Sequence, residues 1–150
     1  MAHDRYFEDY EVGSVHEFGG ATMTEEEIIA FASRFDPQTF HVDPEAARDT
    51  DFGGLIASGW HTAGVMMRMM VDHFSSSTCL GSPGIDELRW LVPVRPGDRL
   101  RCRLTVTDAA RSRGKPDRGV IHQFVEVVNQ DDAVVMRMKG MGIYRCRAAG

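Results

Sequence analysis

Cysteine is scarce in this chain, and the few present are spaced for neither metal nor redox chemistry. The 150 residues contain three, Cys79, Cys102 and Cys146, far apart and odd in number. No Cys-x-x-Cys pair and no zinc spacing occurs, so no zinc ligand set is expected. Reduced thiols, buried or half-buried, are the expectation. The six histidines contain no His-Glu-x-x-His pattern, so no metal site is expected. No apolar run approaches the roughly 20 residues needed to cross a bilayer. The N-terminal stretch lacks the apolar core of a signal peptide, which points to the cytoplasm. An excess of positive charge is missing too. The net charge is -5 with a pI near 5.6, so there is no electrostatic reason to expect nucleic acid. No repeat, low-complexity tract or linker divides the sequence, and residues 1–150 read as one domain with a self-sufficient core.

What is present has a clear order. Val12 to Met23 reads as extended. Thr24 followed by Glu27 is a capping-box signature, predicting a helix from Glu25 to Arg34 that buries Ile28, Ile29, Phe31 and Ala32 in some combination. A second helix is predicted from Ser58 or Gly59 to about His73. Its residues are apolar nearly all round, which predicts burial on most sides. Its four methionines suit core packing or a flexible acyl pocket. Beyond Gly84 the pattern turns to strands. Ile85–Leu91, Arg99–Asp108, Gly119–Asn129 and Ala133–Arg147 are predicted, with residues 129–132 joining the last two. A long helix covering one face of an antiparallel sheet is the α+β solution to that pattern.

The stretch with chemical content runs from Phe35 to Arg68, FDPQTFHVDPEAARDTDFGGLIASGWHTAGVMMR. Asp36 and His41 lie five residues apart, beside a proline that disfavours simple helix continuation. Downstream, Ala57-Ser58-Gly59 opens the apolar helix. That supplies a titratable pair and a helix N-terminus whose free N–H groups can hold a developing negative charge. Singly, Asp36 fits a turn residue and His41 a buried imidazole; as a spaced set with Gly59 they read as catalytic.

Asp36-x4-His41, the Asp43-Pro44 turn and Leu55-Ile56-Ala57-Ser58-Gly59 together resemble the MaoC-like dehydratases, the (R)-specific enoyl-CoA hydratases of the hotdog fold. The resemblance implies an antiparallel sheet wrapped around a central helix. It implies hydration of a 2-enoyl-CoA to an (R)-3-hydroxyacyl-CoA without metal or organic cofactor. Asp36 and His41 would be the water-activating pair and Gly59 N–H the oxyanion donor. Ile56, Ser58 and Trp60 would touch the acyl-CoA substrate. A homodimer, or a higher homo-oligomer, with the coenzyme arm near the subunit boundary is implied as well. One position departs: Ser58 stands where the family usually has histidine. Serine is a strong N-cap but lacks an imidazole, which points to a subgroup with its own substrate preference. His61 is a lesser candidate to replace that imidazole, and Trp60 is expected to narrow one wall of the acyl site.

Two other functions compete. A hotdog thioesterase aims water at the thioester carbonyl and usually needs a carboxylate near the helix start, where residues 58–64 offer none. A non-catalytic acyl-thioester-binding subunit would have little use for both Asp36 and His41. The basic loop Arg111–Pro116 and the residues Arg89, Trp90 and Arg95 are read either as ordinary surface or as a phosphate rim or interface.

Overall fold

Strict alternation of buried and outward residues in the C-terminal half builds most of the sheet. In the computed structural model, which describes residues 4–147, six strands pair antiparallel. They are β1 (Val15–Thr22), β2 (Cys79–Gly81), β3 (Ile85–Trp90), β4 (Arg99–Arg111), β5 (Arg118–Val128) and β6 (Val134–Arg145). The order is β1-β4-β5-β6-β2, with β3 also on β6. Leu100, Cys102, Leu104 and Val106 of β4 share one face with Ile121, Val125 and Val127 of β5, all essentially inaccessible to water. Burying each such aliphatic side chain contributes about 1.5–3 kcal/mol, so this shared face is the main source of cohesion. Burial pushes the Cys102 thiol up to about 12, which removes it as a nucleophile. Cys146 is buried as expected; Cys79 is exposed.

The helices are α1 (Glu25–Phe35), α2 (Thr39–Val42), α3 (Pro44–Ala47) and α4 (Gly59–His73), with a single 3-10 turn at Phe7–Asp9. Thr24 Oγ1 accepts the Glu27 N–H at 3.2 Å, the cap predicted for α1. α4 lies across the buried face of the sheet through Met66, Met69 and Met70. Gly19, at φ +95°, lets β1 bulge over Met69, whose side chain occupies the space a Cβ there would need. One expectation needs correcting. α4 is not buried on most sides: Trp60, Met67 and Val71 are exposed, forming one stripe along the helix. Composition alone cannot tell an apolar face covered by the same chain from one left open.

Candidate active site

Pro37 decides where α1 ends. The residue before a proline is pushed out of the helical region, and Asp36 accordingly sits at φ -154°, ψ 64° as the C-cap, its N–H still bonded to Ala32 O. The chain then restarts as α2, a single turn that carries His41. Asp43 ends that turn and caps α3, accepting the N–H groups of Glu45 and Ala46. Two helix ends within a few residues thus fix both candidate groups on the backbone.

His41 is 5% exposed. Its Nδ1 lies 2.7 Å from the Ile56 carbonyl oxygen. A carbonyl only accepts, so Nδ1 carries a proton and Nε2 is the nitrogen left to take up or give away another. Nε2 is 3.3 Å from Asp36 Oδ2. The carboxylate is itself held from two other sides. Gln38 Nε2 donates to Oδ1 at 2.7 Å, and Ser58 Oγ donates to Oδ2 at 2.7 Å. The Gln38 bond, then the Ser58 bond and the nearby imidazole, hold the Asp36 pKa below the usual carboxylate range against the opposing effect of burial. Asp36 is therefore a carboxylate at neutral pH.

Ser58 is fully buried and has a second duty: its Oγ accepts the Trp60 N–H at 3.3 Å, capping α4. The serine hydroxyl thus ties the carboxylate to the start of the long helix. As the first residue of α4, Gly59 has an N–H with no acceptor inside the helix. A cavity of about 490 Å³ opens here, lined by Asp36, Gln38, His41, Ile56, Gly59, Trp60 and Thr62, with Phe40, Phe52, Ala57, Trp90 and residues 91–94 and 135 completing the wall. Of the six residues singled out in the sequence, five line one cavity, and Ser58 reaches it through Asp36.

His61 does not supply a second imidazole. It stacks on Phe31 with ring centroids 4.9 Å apart, and burial lowers its pKa. No residue of the Arg111–Pro116 loop lines the cavity, nor do Arg89 and Arg95. Arg95 instead holds the Phe52 carbonyl and Asp98. Two contributors escaped sequence reasoning. Gln38 sat inside the motif as an unassigned polar residue between the two titratable ones. Trp90, which in sequence reads as surface, phosphate rim or interface, bonds the helix start, with Nε1 donating to Gly59 O at 2.9 Å.

An ionised carboxylate, an imidazole whose Nε2 faces it and a helix N-terminus, all on a largely apolar cavity, can activate a water and hold a developing oxyanion. Comparison with known proteins identifies the fold and the family. Residues 10–123 match the family described as the MaoC like domain. A crystal structure of a MaoC-like dehydratase from Rhodospirillum rubrum is 38% identical, with a TM-score of 0.87 over 97% of this chain and 99% of that one. The R-hydratase PhaJ1 from Pseudomonas aeruginosa, 22% identical, has the same fold, with a TM-score of 0.78 over 95% of this chain and 86% of that one. The 3-hydroxyacyl-thioester dehydratase Z of Mycobacterium tuberculosis is 34% identical over 83 residues, 53% of this chain and 55% of that protein. The curled antiparallel sheet around α4 is the hotdog fold, and the chain belongs to the MaoC-like dehydratase family.

Proposed function

We propose that the protein reversibly adds water across the double bond of a 2-enoyl-CoA, giving an (R)-3-hydroxyacyl-CoA. The observation that carries this reading is the opening of ionised Asp36, the basic Nε2 of His41 and Gly59 onto one apolar cavity. A water between the two side chains gives a proton to His41 Nε2 while its oxygen attacks C3. Asp36 orients that water and stabilises the imidazolium that forms. Charge moves to the thioester oxygen, where the Gly59 N–H receives it. The imidazolium then returns its proton to C2, so that one water has been added in all. No metal or organic cofactor enters these steps. Ile56 and Trp60 contribute apolar wall, with Trp60 at the mouth, where it narrows the acyl site. Ser58 acts through Asp36.

The same surface supports a homodimer as the working unit. Trp60, Met67 and Val71 on α4 continue into exposed Trp90, Leu91 and Val92, an apolar area bordering the cavity mouth of the kind that a second copy covers.

One observation favours the thioesterase more than the sequence did. Although residues 58–64 contain no acid, the Asp36 carboxylate stands at the helix start through Ser58. Product analysis separates the two. Incubation with 2-enoyl-CoA is expected to bleach the enoyl-thioester absorbance and leave the thioester intact. Release of free thiol from an unhydrated substrate would assign the site to thioester hydrolysis instead.

A further inference from the structure

Trp90 ends β3 on top of the first residue of α4. A Cβ at position 59 would overlap the Trp90 indole, falling 2.6 Å from Nε1 and 2.7 Å from Cδ2. The ring therefore occupies the place where any other residue would carry its side chain, and its N–H is bonded to the Gly59 carbonyl at 2.9 Å. Trp60 meets it edge-on, with centroids 5.2 Å apart and an interplanar angle of 79°. Two restraints hold the indole, a hydrogen bond and an aromatic neighbour, so it is a fixed wall rather than a loose rim residue. The wall around Trp90 continues as Leu91, Val92, Pro93 and Val94.

We infer that Trp90 is a specificity-determining residue, selecting acyl groups without a substituent at C2. The inference rests on the hydratase reading for the position of the thioester. If the thioester oxygen is bonded to the Gly59 N–H, C1 and C2 lie beside Gly59, within reach of an indole packed on that same residue. A branch at C2 then meets the ring, whereas the far end of the chain does not. A rigid wall next to the reacting carbons discriminates by shape, and one methyl group in such a place is worth roughly tenfold or more.

The test uses butyryl-CoA and isobutyryl-CoA, which have no double bond to hydrate, and measures their binding to the intact protein by calorimetry. The wild type is expected to prefer butyryl-CoA by roughly tenfold. Trp90→Ala is expected to reduce that preference to less than about threefold, mainly by strengthening isobutyryl-CoA binding, and Trp90→Phe to retain most of it. Should Trp90→Ala melt below the assay temperature, Trp90→Leu supplies the comparison. An unchanged preference in a folded variant lacking the ring would overturn the assignment, as would a wild type that binds both thioesters equally. In parallel, turnover of crotonyl-CoA and its 2-methyl derivative tests the underlying reading separately. A wild type that discriminates in binding but hydrates neither compound leaves the wall in place and removes the hydratase.

Discussion

At the scale of single residues, the carboxylate of Asp36 is held from three sides within the candidate site. Gln38 and Ser58 both donate to it, and His41 stabilises its charged form once Nε2 is protonated. Its folded pKa is depressed, so the stability it contributes is complete above about pH 4, the unfolded value, and is lost as pH falls through the folded pKa. Gln38→Ala should therefore cost roughly 1 kcal/mol near neutral pH, and the gap to wild type should close as acid titrates the carboxyl. Urea unfolding at a series of pH values checks both the size and the direction. Ser58→Ala removes a donor to Asp36 and a helix cap together. About 1 kcal/mol of stability should go, and kcat should fall more than the stability loss explains, because the carboxylate is no longer tethered; Ser58→Thr should restore most of it. The Asp36–His41 pairing was legible in the sequence because the two residues lie only five apart, across the break that Pro37 makes. The Ser58 bond was not, since it joins residues 22 apart in sequence and depends on how α4 docks.

At the scale of elements, the site is made where helices stop and start. α1 ends at Asp36 because of Pro37, and α4 begins at Gly59 because Ser58 caps it. Weakening an element away from these ends should leave the chemistry alone. Thr24→Ala, at the opposite end of α1, should lower stability by about 1 kcal/mol and leave kcat within about twofold, as thermal melting and steady-state rates would show. Gly59→Ala is different. The new methyl would enter the Trp90 ring, so strain of about 1–3 kcal/mol is expected, and it should be largely relieved in the Gly59→Ala, Trp90→Ala double variant. Capping and apolar periodicity made the bounds of α1 and α4 readable in advance to within a residue. The single turns of α2 and α3 were not readable, because four residues carry no periodicity. The three-residue β2 was missed for the same reason.

At the scale of the whole molecule, one long helix lies on one curled sheet, and the cavity sits where the helix start, the α1–α2 loop and the end of β3 converge. The sheet was foreseeable from alternation in residues 99–145, whereas its strand order was not, because pairing is a property of distant segments. The exposed stripe of Trp60, Met67 and Val71 was hidden within a helix that reads as apolar nearly all round. For the proposed homodimer, light scattering should give twice the 16.7 kDa chain mass. Met67→Glu, which buries a charge if a second copy covers this face, should shift the protein toward monomer. A monomeric wild type at assay concentration would end the dimer proposal.

In the proposed reaction Asp36 and His41 together activate the attacking water. The most direct measurement is the rate of enoyl-absorbance loss from a 2-enoyl-CoA for wild type, Asp36→Asn and His41→Ala, with circular dichroism to verify that each variant is folded. The account predicts hydration by the wild type and a fall of at least about 100-fold in each folded variant. Hydration that persists at the wild-type rate in either variant would contradict it.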